Sequence, residues 1–301
     1  MPVPPKSLKS QKSQAVIVGL SGGLGNQMFQ YAAGRALSLR LKAPLQLDTT
    51  WFLGRKSRSY ALGKFSIEEN IVSSKLPGPE ILKSLESRLS RKLGLTRMGV
   101  QIFREPHFHF SQKFVELKHP VYLEGYWQSE RYFDIYRDVI FADFSARYKL
   151  PEKCKDIRQQ ICESDSVCVH IRRGDYVHDS SISKVYAHCS SDYYQKALAI
   201  AVSGLAKPQA FVFSDDPEWV QANFPTSIST TVVDINSSNE AWWDLFLMTA
   251  CRSFVIANSS LSWWAAWLGS GKNKTVICPR KWFLDSRKCT KDLIPNTWII
   301  L

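Results

Sequence analysis

From residue 15 onward, short apolar runs alternate with longer segments whose apolar residues recur every three or four positions. Ala15-Val16-Ile17-Val18 is a β-branched run ending in Gly19, and Ser21-Gly22-Gly23-Leu24-Gly25-Asn26-Gln27 follows as a glycine-rich turn. Met28 to Leu41 carries Phe29, Ala32, Ala33, Ala36 and Leu37 at helical spacing, and Leu45-Gln46-Leu47-Asp48 reads as a second strand. Strand, glycine turn, helix and strand open a βαβ unit. Residues 51–80 show no clear period. Ile81, Leu85, Leu89 and Leu93 then repeat every four, with Lys83, Arg88, Arg91 and Lys92 on other faces. Residues 81–104 are therefore expected to form a basic amphipathic helix that packs on its domain with its charges in water; contact with a membrane surface is the alternative.

A second series begins at Ser166. Strands are predicted at 167–171, 210–213, 231–234, 254–257 and 275–278, and helices at 192–205, from Pro217, at 240–251, and from Asn258 to about Gly269. Strands alternating with helices predict parallel sheets, with ligands at the strands' carboxyl ends. Two series joined near residues 142–165 predict two Rossmann-like α/β domains, 15–150 and 151–301, facing each other across a cleft. Residues 1–14 hold lysines and prolines without an apolar core, so they are expected to be a disordered leader rather than a secretory signal.

Composition narrows the class without changing that picture. The 301 residues are 45% hydrophobic and 22% charged, which excludes a disordered or collagen-like chain. No stretch approaches the roughly 18–20 apolar residues of a membrane span. Thirty-nine Lys+Arg against 27 Asp+Glu leave a formal charge of +12, which suits a polyanionic partner such as nucleic acid, an acidic membrane or a nucleotide diphosphate. Seven cysteines without a Cys-x-x-Cys pair, and six histidines without paired spacing, point away from disulfides and metal sites and toward a reducing cytoplasm. Cys168, Cys251 and Cys278 lie in apolar runs expected to be core.

Candidate chemistry gathers at four places. In the glycine turn, Gly23 and Gly25 let backbone N–H groups approach a phosphate, and Asn26 and Gln27 either cap the helix or place amides on a sugar or phosphate. The third glycine of a dinucleotide fingerprint is missing, although Asp48 stands where a ribose-binding acid belongs, so a nicotinamide oxidoreductase stays an alternative. His170-Ile171-Arg172-Arg173-Gly174-Asp175 places two arginines at a strand end. Arg suits a diphosphate through its planar, always charged fork, and an Arg173–Asp175 pair would secure the turn and leave Arg172 for ligand. His170 is either a satisfied core histidine or a ligand contact. Ser214-Asp215-Asp216-Pro217 reads as an N-cap at Asp216 with proline at the first helical position, leaving Asp215 as the free carboxylate. Asn258-Ser259-Ser260 opens a helix whose core face is expected to be Leu261, Trp264, Ala265 and Leu268, and whose positive end can hold a phosphate. An RNA-binding protein would explain the charge and the ten tryptophans, yet these cluster in apolar helices rather than on a basic platform.

Five segments in order, GGLGNQMFQYAAGRALS (22–38), YLEGYWQSERYF (122–133), HIRRGDYV (170–177), FSDDPEW (213–219) and NSSLSWWAAWL (258–268), resemble the bacterial α-1,2-fucosyltransferase family and span nearly the whole chain. HIRRGDY is also similar to the shared motif of α-1,6-fucosyltransferases and protein O-fucosyltransferases. The resemblance implies a GT-B fold, GDP-β-L-fucose as donor, and inversion without an essential metal or other cofactor. It implies the 2-hydroxyl of a terminal β-galactose as acceptor, as in lactose, N-acetyllactosamine or lacto-N-biose glycans, with no nucleic-acid partner and a cytoplasmic enzyme at most loosely associated with the inner membrane. Arg172 would bind the diphosphate with Arg173 beside it, and His170 and Asp215 would hold guanine next to Ser214. Asn26 would reach the sugar or phosphate, and Ser259 and Ser260, following Asn258, the β-phosphate. Glu124 and Asp175 are the candidates for the base that takes the acceptor's proton.

Overall fold

The computed structural model describes residues 14–55, 58–72, 100–174, 185–224, 228–237, 240–271 and 274–301. The chain divides into two compact units, Met1–Ser145 and Ala146–Leu301. The expectations for the leader, for residues 81–99 and for Asp175 lie outside the described residues.

The first unit is built from β1 (Val16–Gly19), α1 (Leu24–Leu41), β2 (Leu45–Asp48), β3 (Ile71–Val72), β4 (Gln101–Arg104), β5 (Val121–Glu124) and α2 (Arg137–Asp143). Its strands pair in parallel in the order β3-β2-β1-β5-β4. The β-branched run of β1 sits between two neighbours and is buried on both faces, as an inner parallel strand must be. α1 starts four residues before the expected Met28, with Gly23 as its N-cap, so Gly25, Asn26 and Gln27 occupy its first turn. Gly22 makes that entry possible. Its φ of 76° is left-handed, and a Cβ there would stand 2.7 Å from the Asn26 amide nitrogen. Farther along α1, the Tyr31 hydroxyl and Arg35 Nε both donate to Asp143, at 2.9 and 3.0 Å, tying α1 to the end of α2.

One expectation fails here. Residues 101–104, predicted to end the basic helix, form β4 and pair with β5 from Gln101↔Val121 to Arg104↔Glu124. Ile102 and Phe103 favour a pleated surface, and the open edge of β5 offers their backbone a complete ladder. The two-residue β3 falls in the stretch without a period.

The second unit holds α3 (Glu152–Glu163), β6 (Asp165–Ile171), α4 (Ser191–Ala201), β7 (Pro208–Ser214), α5 (Pro217–Asn223), β8 (Ser229–Val233), α6 (Ala241–Thr249), β9 (Ser253–Val255), α7 (Ser260–Leu268), β10 (Val276–Cys278) and β11 (Ile299–Ile300). The sheet order is β11-β10-β9-β6-β7-β8, again with every pair parallel. Val167, Val169, Ile171, Val212, Val255 and Ile277 pack against Tyr194, Ala197 and Leu198 of α4. α7 is buried on every side from Ser262 to Leu268, not on one face. The C-terminal segment covers the side expected to be open: Trp263 Nε1 donates to the Leu293 carbonyl at 2.8 Å, and its ring lies against Trp298. Cys168, Cys251 and Cys278 are buried in this unit as expected.

Both sheets reverse direction at a definable place. β1 leads to β2 and β3 on one side, while β5 lies on the other. β6 leads to β7 and β8 on one side, while β9 to β11 extend the other. The crevices outside the carboxyl ends of β1/β5 and of β6/β9 are therefore where an open parallel sheet binds ligands.

Candidate active site

At the carboxyl ends of β6 and β7, next to the β6/β9 switch, the second unit assembles its charged groups. β6 and β7 stay in register to Ile171↔Ser214, so Arg172 and Asp215 leave the sheet side by side. Arg172 Nη1 lies 3.0 Å from Asp215 Oδ2, with both side chains 24% exposed. The other oxygen, Oδ1, accepts the Arg173 backbone N–H at 2.8 Å. Asp215 is thus not the free carboxylate expected; it orients Arg172 and braces the turn. Gly174 permits that approach, because a Cβ there would sit 2.7 Å from Asp215 Oδ2.

Asp216 works in parallel. Its Oδ1 caps α5 by accepting the Trp219 N–H at 3.2 Å, as the Asp-Pro pair predicted, and its Oδ2 takes Arg173 Nε at 3.3 Å. The Arg173 guanidinium also lies over the Trp219 ring, 3.7 Å from the centroid. Among the described residues Arg173 is therefore held by Asp216 and Trp219; the expected pairing with Asp175 lies outside them. The two arginines thus have separate carboxylates, Arg173 on Asp216 with the indole and Arg172 on Asp215. The Ser214 hydroxyl accepts the Asp216 N–H at 3.0 Å, closing the turn.

His170 is buried at the end of β6. Burial pushes its pKa down to about 4, opposed by Asp215 and reinforced by Arg172, so its imidazole is neutral at pH 7. Its Nδ1 has no hydrogen-bond partner among the described residues. A buried ring nitrogen left without a partner is costly in a finished core and suits a site that a ligand completes. At the end of β9, Asn258 is committed to the fold: its Nδ2 donates to the Ala187 and Trp282 carbonyls at 2.8 and 2.9 Å. Ser259 is the N-cap of α7 but makes no side-chain cap bond, so its hydroxyl is not spent on capping. The first N–H groups of α7 have no partner within the helix and carry its positive end. Arg172 and the start of α7 thus follow adjacent strands at the switch.

The first unit builds its own cluster at the β1/β5 switch. Asn26 Oδ1 accepts Gln128 Nε2 at 2.8 Å, joining the glycine turn to the segment after β5. Gln27 points inward and is fully buried: its Nε2 donates to the Gly22 and Ser59 carbonyls, and its Oε1 accepts the Ala61 N–H. Gly23 is the N-cap and Gly25 is packed in the first turn. Glu124 ends β5 with Oε2 at 2.7 Å from Arg104 Nε, both side chains partly exposed. Asp48 is buried, its Oδ2 accepting the Tyr122 hydroxyl and its Oδ1 the Thr50 N–H, each at 2.9 Å. Both oxygens already serve the fold, which removes the ribose-binding acid that a nicotinamide reading needs.

The sequence reading missed three contributors. Trp219 lies within a quoted segment but read only as helix; its place two residues after Pro217, opposite two arginines, was the available signal. Arg104 ends the stretch assigned to the basic helix, and Glu105 follows it directly. The Glu105-Pro106 dipeptide, which argues against a continuing helix, would have exposed them. Among the described residues no three His, Cys, Asp or Glu gather as metal ligands, and no helix is long and apolar enough to cross a membrane.

Comparison with known proteins places this architecture. The chain is 33% identical over 300 residues to the O-antigen biosynthesis glycosyltransferase WbnK of Escherichia coli, covering 94% of this chain and 99% of that protein. It is 31% identical over 288 residues to an Escherichia coli alpha-1,2-colitosyltransferase, covering 94% and 98%. Among solved structures, the α-1,6-fucosyltransferase NodZ of Bradyrhizobium, in a crystal soaked with GDP-fucose, matches with a TM-score of 0.51 at 13% identity over 85% of this chain and 92% of that one. That likeness, with the two parallel α/β units, identifies the GT-B class of fold. The model of glycosyl transferase family 11 matches residues 3–301, and the chain belongs to that family of glycosyltransferases.

Proposed function

We propose that this glycosyltransferase moves L-fucose from GDP-β-L-fucose to the 2-hydroxyl of a terminal β-galactose, with inversion at the anomeric carbon. The observation that carries the donor assignment is the Arg172–Asp215 pair beside a neutral, incompletely bonded His170, on the strand adjacent to the one that leads into α7. A GDP donor matches each part. Guanine supplies a polar edge for His170 and N–H donors for the lone pairs that Asp215, 24% exposed where Asp48 is buried, keeps beside its bonds to Arg172 and Arg173; the diphosphate supplies oxygens for Arg172 and for Ser259 and Ser260.

In the reaction the acceptor's 2-hydroxyl oxygen attacks C1 of the fucosyl group from the face opposite the phosphate. The C1–O bond breaks, its electron pair leaves on GDP, and the hydroxyl proton passes to a base. Negative charge thus grows on the β-phosphate, where the Arg172 guanidinium and the α7 N-terminus are fixed in advance. The first unit is assigned the acceptor. Asn26, held by Gln128, is the candidate contact for the sugar on this side, and Glu124 and Asp175 are the candidates for the base.

A second reading concerns the sugar alone. The 31% identity to a colitosyltransferase favours a GDP-linked colitosyl donor as an alternative to fucose. The site residues would serve either donor alike. Calorimetric titration with GDP tests the shared part: Arg172→Ala should weaken GDP binding by at least about tenfold, since a hydrogen bond to a charged group contributes about 1.5–3 kcal/mol. Wild-type affinity in that variant would remove Arg172 from the diphosphate site.

A further inference from the structure

The turn after β5 is bonded at every residue, yet it presents one aromatic ring to solvent. The Gly125 carbonyl accepts Gln30 Nε2 at 3.0 Å. The Tyr126 and Trp127 N–H groups donate to the two oxygens of Glu105 at 2.8 and 3.0 Å. Gln128 reaches Asn26, and the Ser129 N–H returns to the Trp127 carbonyl at 2.8 Å. Trp127 has a left-handed φ of 58°, a conformation that costs a bulky residue on the order of 1–3 kcal/mol and persists only where the surroundings over-determine it. Its indole is wholly buried against Phe103, Phe114 and Tyr132, so it is an anchor rather than a sugar-stacking surface. Tyr126, the residue between Gly125 and that anchor, remains 47% exposed.

Glu105 is the hub of this arrangement. It follows β4 directly, and its own N–H donates to the Glu124 carbonyl at 2.8 Å, so the ladder delivers its carboxyl group beneath the turn. Burial pushes its pKa up to about 7 against the two amides that favour the charged form. An acid kept in so unfavourable a position, with both oxygens on the backbone of Tyr126 and Trp127, acts on the shape of the turn.

We propose that Tyr126 is the stacking platform for the acceptor's pyranose ring and that Glu105, which itself touches no ligand, positions it. A pyranose presents C–H groups on one face and hydroxyls at its rim. A tyrosine carried on a fixed backbone, with only two side-chain torsions to order, supplies a flat apolar contact at little entropic cost. The exposed Glu124–Arg104 pair, on the ends of the same two strands, offers an acceptor and a donor to the rim hydroxyls. The β1/β5 switch is where this sheet binds ligand. The inference rests on the acceptor reading above and deepens it by naming the contact.

The test is steady-state kinetics of the full chain with GDP-fucose and a β-galactoside such as lactose. Tyr126→Ala should raise the galactoside KM about tenfold or more, while kcat at saturating acceptor falls less than about threefold. Tyr126→Phe and Tyr126→Trp, which keep the flat face, should restore KM to within about twofold. Glu105→Ala should raise the same KM, and the double variant Glu105→Ala/Tyr126→Ala should be little worse than Tyr126→Ala alone, because Glu105 acts through the ring. Wild-type KM in Tyr126→Ala, or additive effects in the double variant, would overturn the proposal. If Glu105→Ala does not fold, the Tyr126 series decides by itself. A wild-type enzyme that transfers to no β-galactoside overturns the acceptor reading and this inference with it. Transfer by the wild type with indifference at Tyr126 overturns this inference alone.

Discussion

Adding one methyl group at Gly174 should weaken the proposed donor site without unfolding the second unit. The new Cβ would stand 2.7 Å from Asp215 Oδ2 and 3.1 Å from its Cγ. Ordinary van der Waals separation is about 3.4 Å or more, so the carboxylate must retreat by roughly 0.7 Å. Its bond to Arg172 Nη1 is already 3.0 Å, and a retreat of that size takes it beyond hydrogen-bond range. The Arg173 N–H bond to Oδ1 is disturbed by the same movement. A bond to a charged group contributes about 1.5–3 kcal/mol when sheltered; this pair is partly exposed, so about 1–2 kcal/mol is the appropriate figure. Gly174→Ala should therefore weaken GDP binding by about tenfold in calorimetric titration, while the melting temperature falls by only a few degrees. Asp215→Asn, which keeps the shape but loses the charge, should weaken GDP to a similar extent. Wild-type or tighter GDP binding in Gly174→Ala would refute the claim that Asp215 sets the geometry of Arg172.

Two further predictions concern the first unit. Gly22→Ala combines a left-handed φ of 76° with a 2.7 Å clash on the Asn26 amide, so it should cost about 1–2 kcal/mol and loosen the Asn26–Gln128 bond; an unchanged melting temperature would contradict this. Glu105, with its pKa raised to about 7, keeps its proton in the folded protein across a range where the unfolded chain has released it. Its contribution to stability is therefore present below about pH 4.5 and lost as pH rises to about 7, on the order of 2–3 kcal/mol. Denaturant titrations from pH 5 to pH 8 should show wild type losing stability relative to Glu105→Gln, and parallel profiles would mean that the acid does not titrate there.

How far the sequence can be read depends on whether the signal is local. The glycine turn, the Arg-Arg pair, the Asp-Pro cap and the serine-led helix are short motifs whose chemistry is carried by neighbouring residues. They stand where the strand–helix alternation puts them, at strand ends. Partnerships across the sheet were not legible. The ladder between β6 and β7 delivers Asp216 and Trp219 to Arg173 from more than forty residues away, a partnership that no local spacing announces. The same limit hid Glu105, whose role exists only because β4 lies beside β5. Four-residue spacing in 81–93 was extended across residues 101–104, where Ile102 and Phe103 suit strand as well as helix and tertiary pairing decides. Helical spacing predicts one core face on α7, Leu261, Trp264, Ala265 and Leu268, and not the burial of Trp263, because its cover from Leu293 and Trp298 comes from the far C-terminus.

The central claim is the reaction itself, and it is tested most directly by incubating the enzyme with GDP-fucose and a β-galactoside in the presence of EDTA, then determining product mass and linkage. The account predicts a product heavier by one fucosyl group and linked α-1,2 to the terminal galactose. A product obtained only with a colitosyl donor would move the sugar while keeping the site. No product, with GDP-fucose neither bound nor hydrolysed, would contradict the assignment of Arg172, His170 and Asp215 to a GDP donor.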